Sequence, residues 1–408
     1  MRILFFSHYY APEGNAPASR VTALTRRWAE QGHEVTVITC APNVPSGKVY
    51  SGYKNKLYQT EFIDQVRVIR VWTYIAPNRG IVRRISNYLS YMFSALFVAL
   101  FLSRPDVTIA TSPQFFCGWA GVLFQFFKGG IFILEVRDIW PESISAVEAK
   151  MPNWLLKPII LMERIMYRRA DHIVTVGSGY LEKLVERQVA REKVAVVMNG
   201  VDSDIFRPSE CNKAFLESWG LKDKFVCSYI GTIGMACGLE VVLAAAARLK
   251  EMQRSDIAFL LVGDGAVREK LEAEARKRQL DNVVFAGLRP KKEMPEFIAA
   301  SDVNLVHLRK TELFTTVMPS KIFECAGMQR PLIIGVQGFA EKFVTEAQAG
   351  IAIAPGNASA LATAVGYLAD HPEECKRLGE NAYRNIALHY DRKQLADTYL
   401  ELLSQWAH

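Results

Sequence analysis

The chain has 408 residues, 50% of them hydrophobic and 22% charged, which excludes a disordered polypeptide and exceeds what one ordinary core accommodates. The net charge of +7 is unevenly placed: residues 1–200 hold 24 Lys+Arg against 15 Asp+Glu, and residues 201–408 hold 25 against 27. A basic first half is expected to face something anionic, a phospholipid surface or a phosphorylated substrate. With no aromatic-basic RNA motif and no finger spacing, nucleic acid is not the expected partner.

Along the chain, Met1-Arg2-Ile3-Leu4-Phe5-Phe6 runs straight into His8-Tyr9-Tyr10 and reads as a buried strand, not as a cleavable leader. Strands are predicted at 2–7, 34–39, 66–71, 106–110, 131–136, 172–176 and 194–198. Helices are predicted at 18–31, 85–102, 114–127, 152–169 and 178–188. The 19 uncharged residues between Arg84 and Arg104 approach the length of a membrane span, but Ser86, Asn87, Ser90, Ser94 and Ser103 dilute them. With Arg79, Arg83 and Arg84 as a basic flank, the 85–103 segment is expected to lie in an anionic leaflet, a buried α/β helix being the alternative. A second apolar stretch, 113–127, adds to the membrane reading.

After Asn199-Gly200, in a turn-rich segment closed by Pro208, the rhythm restarts. Strands are predicted at 225–230, 257–262, 282–285, 302–306, 332–334 and 351–353, and helices at 238–252, 266–278, 293–300, 319–328, 340–347 and 358–370. A last helical pattern covers 393–406. Such alternation is the mark of parallel sheets covered by helices. The expected architecture is α/β, two doubly wound Rossmann-like domains facing across a cleft: an N-terminal domain 1–200, a C-terminal domain 201–385, and a terminal helix, 386–408, packing on either domain. Seven scattered cysteines without CxxC spacing fit reduced thiols in a cytoplasmic protein.

Chemistry is expected at strand ends. After the strand 225–230, Gly231, Gly234 and Gly238 allow backbone amides close to a phosphate, although a plain tight turn explains them equally. Gly287 and Leu288 end another strand, where exposed backbone meets a base. In "MPSKIFECAG" (318–327), a helix starting at Pro319 would place Ser320, Lys321 and Glu324 on one face. Lys321 and the amides at the helix start favour an anion, and Glu324 a ribose diol; a local Lys321–Glu324 ion pair is the alternative. In the first half, Gly14 and Asn15 permit tight turns, and Arg20 is expected to meet an anion. Arg137, Asp138 and Glu142 follow a buried strand, as site candidates or as a structural ion network.

These residues, in this order, resemble retaining, nucleotide-sugar-dependent glycosyltransferases of family 4, which have the GT-B fold. The likeness spans nearly the whole chain and rests on "GHEVTVIT" (32–39), "RRADHIVTVGSGYLEKL" (168–184), "NGVDSDIFRP" (199–208), "VGDG" (262–265) and "MPSKIFECAGMQRPLI" (318–333). "RDIWPES" (137–143) and the apolar helix before "RPDVTIATSP" (104–113) resemble the branch that builds lipid-linked capsule and O-antigen polysaccharide, L-fucosamine transferases among them. The resemblance implies a nucleotide-sugar donor, UDP-linked, and a polyprenyl-diphosphate-linked saccharide acceptor. It implies an enzyme at the inner leaflet of the cytoplasmic membrane, peripherally bound through its basic N-terminal domain.

The same likeness makes Glu324 the second glutamate of the family's E-x7-E motif. Thr316 stands where the first is usual, so Thr316 and Val317 are implied contacts instead. It implies donor binding by Gly231, Thr232, Gly234, Gly287, Leu288, Arg309, Thr316, Val317, Ser320, Lys321 and Glu324. Asp138, Lys321 and Glu324 are the implied catalytic residues, with Gly14, Asn15, Arg20, Arg137 and Glu142 around an acceptor or diphosphate loop. With no DxD-like acidic pair at the nucleotide site, neither a metal nor another cofactor is expected. A nucleotide-sugar 2-epimerase of the same fold and a non-catalytic membrane-bound assembly subunit stay open as alternatives.

Overall fold

Short runs rich in Val and Ile, each followed by an amphipathic stretch, form parallel strands linked by crossover helices. The computed structural model describes residues 1–44, 47–75, 81–139 and 153–407. It builds two units: Met1–Met198 with Arg392–His408, and Asn199–Asp391. The divisions thus fall near 198 and 391, where the sequence places them at 200 and 385. Val201 explains the difference: its N–H donates to the Tyr390 carbonyl at 2.9 Å and it bridges Asp391, so both crossing points are held within the second unit.

The first unit holds β1 (Arg2–Phe6), β2 (Glu34–Cys40), β3 (Tyr58–Ile63), β4 (Val66–Val71), β5 (Val107–Thr111), β6 (Ile131–Val136), β7 (His172–Thr175) and β8 (Val194–Val196). They form one sheet in the order β3-β4-β2-β1-β5-β6-β7-β8, with only the β3–β4 pair antiparallel. Strand β3 was not expected. Its residues alternate between exposed and half-buried at the sheet edge, so it lacks the apolar run that marks the others. The first-unit core gathers Ile3, Phe5, Val21, Trp28, Val37 and Ile109.

The C-terminal helix Arg392–Trp406 adds Ala396, Tyr399 and Leu403 to that core. It is fastened to the helix Ala16–Glu30 by the Trp28 indole N–H on the Ala396 carbonyl (2.9 Å) and by Arg27 on Asp397 (2.7 and 2.8 Å). The Trp28 and Tyr399 rings meet edge to face at 5.3 Å.

The helix Ile81–Leu100 has the buried face that the alternative reading of the 85–103 segment expects. One face, with Tyr88, Tyr91, Met92, Ala95 and Ala99, is buried in the fold, while Phe93, Phe97 and neighbouring Phe101 are 61%, 65% and 77% exposed. Among the described residues no helix is long and apolar enough to cross a membrane. The second apolar stretch is the helix Phe115–Lys128, buried at Gly118, Ala120, Gly121 and Phe124 and bare only at Phe126 and Phe127.

The second unit is an all-parallel sheet of β9 (Phe225–Ile230), β10 (Ile257–Val262), β11 (Val283–Gly287), β12 (Val303–His307), β13 (Leu332–Gly335) and β14 (Gly350–Ala352), in the order β11-β10-β9-β12-β13-β14. Its core includes Tyr229, Leu239, Val242, Phe259, Leu261, Leu305 and Ile333. The sharp strand-order change lies between β9 and β12, and a sheet of this kind collects ligands at the carboxyl ends of the strands there.

Candidate functional site

In the second unit the carboxyl end of β9 meets the helix Lys321–Gly327. Gly231, just past β9, has φ 141° and no room for a Cβ, which would sit 2.6 Å from the Lys321 Nζ. The absence of a side chain therefore lets the ammonium group reach the strand end, where it lies 3.6 Å from the centroid of the Tyr229 ring. Tyr229 in turn donates its hydroxyl to the Thr232 carbonyl (2.8 Å), and the Cys237 thiol points at the same oxygen (3.2 Å). The structure so brings Gly231, Thr232 and Lys321 together. Desolvation lowers the Lys321 pKa to about 8, opposed by Cys237, Cys325 and Glu324, and among the described residues Lys321 makes no ion pair.

The helix begins at Lys321, two residues later than the sequence indicates. The amides of Ile322, Phe323 and Glu324 already donate to the carbonyls of Pro319 and Ser320 (3.1–3.4 Å), so the open amides expected at its start reduce to those of Ser320 and Lys321. Glu324 is half-buried one turn past Lys321, on the same face. Thr316 closes the 3₁₀ turn Glu312–Thr316; its buried hydroxyl donates to the Leu313 carbonyl (3.1 Å), leaving it only acceptor capacity. Val317 follows in extended backbone.

Arg309 is engaged elsewhere than on an open phosphate site. Its Nε donates to the Met235 carbonyl (2.5 Å) and its Nη2 pairs with Glu240 (2.8 Å), which fastens the turn Met235–Cys237. A Cβ at Gly234 would touch the Thr232 methyl at 3.7 Å, and Gly287 and the exposed Leu288 lie at the end of β11, two strands away from β9.

His307, at the end of β12, is a residue that sequence reasoning missed. Burial lowers its pKa, and its two hydrogen bonds are those of a neutral ring: Nδ1–H donates to the Cys237 carbonyl (2.7 Å) and Nε2 accepts from the Gly356 amide (2.9 Å). It holds the 235–237 turn to the loop before the helix Ala358–Asp370, and a side chain at Gly335 would displace it. The only signal in the sequence is a histidine at the end of the apolar run "VNLVH".

In the first unit, the anion that Arg20 meets is the carboxylate of Glu135. Arg20 is buried, its Nε and Nη2 lie 3.4 and 3.5 Å from Glu135, and it donates to the carbonyls of Met198 (2.8 Å) and Val197 (2.9 Å). Its charge is used inside the fold, by a carboxylate 115 residues away. Asn15 caps the helix Ala16–Glu30, accepting from the Ala18 amide (2.8 Å), and Gly14 is exposed with nothing near its Cβ position. Arg137 is buried and Asp138 half-buried at the end of β6, both backbone amides donating to the Ser112 hydroxyl (2.7 and 3.2 Å). Burial raises the Asp138 carboxyl to about 6 against the pull of Arg137. Glu142 lies outside the described residues. His8, buried edge-on against Tyr9, Tyr88 and Tyr91, and Glu13, which accepts the amides of Asn43 (2.7 Å) and Val44 (3.0 Å), fill the end of β1. Among the described residues no three His, Cys, Asp or Glu side chains converge as metal ligands.

The chain matches known families across both units. Residues 15–200 match the glycosyl transferase 4-like domain, and residues 213–385 match the glycosyl transferases group 1. The chain is therefore a member of the glycosyltransferase families, one domain of each kind in series. Among similar proteins is WcaI of Escherichia coli strain K12, named for glycosyl transfer in colanic acid biosynthesis: 26% identical over 351 residues, 84% of each chain. Another is the O-antigen chain mannosyltransferase C of Escherichia coli, 26% identical over 66% of this chain and 69% of that one. Of solved structures, sucrose-phosphate synthase from Thermosynechococcus elongatus superposes with a TM-score of 0.80 at 17% identity, over 99% of this chain and 98% of that one. Anabaena HepE in complex with UDP and glucose gives 0.74 at 16% identity, over 99% of each. The fold is GT-B.

Proposed function

We propose that this protein transfers a sugar from a nucleoside-diphosphate sugar, UDP-linked, to a polyprenyl-diphosphate-linked saccharide in bacterial surface-polysaccharide synthesis, with retention of anomeric configuration. The observation that carries the reading is the Lys321 ammonium at the Gly231 turn, with Glu324 one turn further along the same helix. The relatives named for colanic acid and O-antigen synthesis support the acceptor class, and the UDP held by HepE supports the nucleoside.

On this reading Lys321 and the amides of Ser320 and Lys321 take the donor diphosphate, and Glu324 accepts from the ribose hydroxyls. The bond from the sugar C1 to the diphosphate oxygen breaks as the acceptor oxygen bonds C1 on the same face. The acceptor proton passes to the departing diphosphate, so no protein nucleophile is consumed. The Lys321 charge stabilises the diphosphate as it develops negative charge. No metal is needed. The aromatic face of Phe93, Phe97 and Phe101, with Arg83, Arg84, Arg104 and Lys128 on the same and adjacent segments, docks peripherally on an anionic leaflet.

The test offers UDP-, GDP- and dTDP-sugars with bacterial membrane lipid extract in EDTA. Transfer into the lipid fraction from a UDP-sugar, lost in Glu324→Ala, is the expected result. No transfer from any donor, or transfer restored only by added Mg²⁺, would contradict the reading or its metal-free form.

A further inference from the structure

Glu135 and Arg137 lie two residues apart at the end of β6 and so face the same side of the sheet. Glu135 is turned to other partners: Arg20 approaches both its oxygens, and the Thr111 hydroxyl donates to Oε1 at 2.9 Å. Arg137 is left over. It is 8% exposed, and its Nε and Nη1 are buried with no hydrogen-bond acceptor among the described residues. Neither Glu135 nor the half-buried Asp138 hydrogen-bonds it. Buried donors are almost always satisfied, and a guanidinium stripped of water without an acceptor is costly.

The surroundings favour one kind of acceptor. Strands β6 and β7 are paired Val136 to Thr175, which puts Arg137 beside Val176 and Gly177, at the start of the nine-residue helix Ser178–Glu186. Gly177 supplies no side chain to cap that helix, and among the described residues the amides of Ser178 and Gly179 have no acceptor. Tyr180, in its first turn, is buried within electrostatic reach of Arg137. A guanidinium with idle donors, a positive helix terminus and a phenol hydroxyl suit a tetrahedral oxyanion with several acceptor oxygens.

We infer that Arg137 anchors a second anion site, contained in the first unit, which binds the diphosphate of the prenyl-linked acceptor. The inference rests on the transfer reading only for the identity of that acceptor; the anion site stands on the first unit alone. The donor diphosphate goes to Lys321 in the second unit, so each diphosphate has its own cation.

The experiment uses the full chain saturated with UDP, which fills the donor site. Inorganic pyrophosphate, geranyl diphosphate and geraniol are titrated by calorimetry into wild type, Arg137→Gln, Arg137→Lys and Lys321→Ala. Wild type is expected to bind both diphosphates and not the alcohol. Arg137→Gln is expected to lose at least tenfold in affinity for both, with UDP affinity and thermal midpoint unchanged or the midpoint raised. Arg137→Lys, which keeps the charge, should lose less; it decides the matter if the glutamine variant does not fold. Equal affinity of wild type and both Arg137 variants for the diphosphates would overturn the site. So would diphosphate binding that UDP abolishes and Lys321→Ala removes. Binding of pyrophosphate but not of geranyl diphosphate would overturn the acceptor assignment. Failure of every protein to bind UDP would sink the donor reading instead, a separate readout.

Discussion

An ammonium group packed over the Tyr229 ring and against Gly231 has exchanged hydration for a weaker cation–π contact, worth about 0.5–2 kcal/mol. That is why the Lys321 pKa falls to about 8, and why the group gains so much from a phosphate. The charged form binds the anion, and binding raises its pKa. UDP affinity should therefore be nearly level below about pH 8 and fall as pH rises above it, by up to about tenfold per unit, as the free protein loses the proton. In Lys321→Ala that fall should disappear. A wild-type affinity that stays flat from pH 7 to 9.5 would remove Lys321 from the diphosphate. Its place beside Gly231 was legible as two motifs, a glycine turn and a Lys at a helix start, but their meeting was not. Nor could the sequence show that Arg20 points inward to Glu135, or that His307 ties two loops, because each depends on partners far along the chain.

At the scale of elements, most strands and helices were legible because buried parallel strands read as continuous apolar runs. Strand β3 was lost for the opposite reason, and the helix Pro372–Ala382 because its polar first turn, "PEEC", hides the apolar positions that follow. The C-terminal helix was legible as a helix, with the N-terminal domain as one of its two expected berths, but the contacts that decide between them were not. It lies on the first unit because Tyr399 and Trp28 fill one pocket. Tyr399→Ala should lower the stability of that unit by about 3–5 kcal/mol, as emptying a buried aromatic site does. The Tyr399 hydroxyl is itself buried without a partner among the described residues, so Tyr399→Phe should be neutral or stabilising by about 1 kcal/mol. Denaturant midpoints for the two variants check this; a loss on Tyr399→Phe as large as that of the alanine variant would show that the hydroxyl is needed.

For the whole molecule, part of the basic excess of the first half falls on one stretch. Residues 81–134 contain Arg83, Arg84, Arg104 and Lys128 and a single acid, Asp106, which is 3.6 Å from Arg2. The exposed phenylalanines 93, 97, 101, 126 and 127 belong to the same stretch. Each Lys or Arg near an anionic surface adds about 1 kcal/mol, and each buried aromatic adds apolar area. The protein should float with vesicles containing anionic lipid and not with purely zwitterionic ones, in a salt-sensitive way, and Phe97→Ser with Phe101→Ser should abolish flotation while leaving UDP binding intact. Flotation unaffected by both substitutions would move the membrane face elsewhere. The central claim, nucleotide-sugar transfer with retention at the Lys321–Glu324 helix, is tested most directly by NMR of the product sugar formed from an α-linked UDP-sugar and lipid extract. The account predicts an α-linked product from the wild type and none from Lys321→Ala or Glu324→Ala; a β-linked product, or undiminished transfer by either variant, would contradict it.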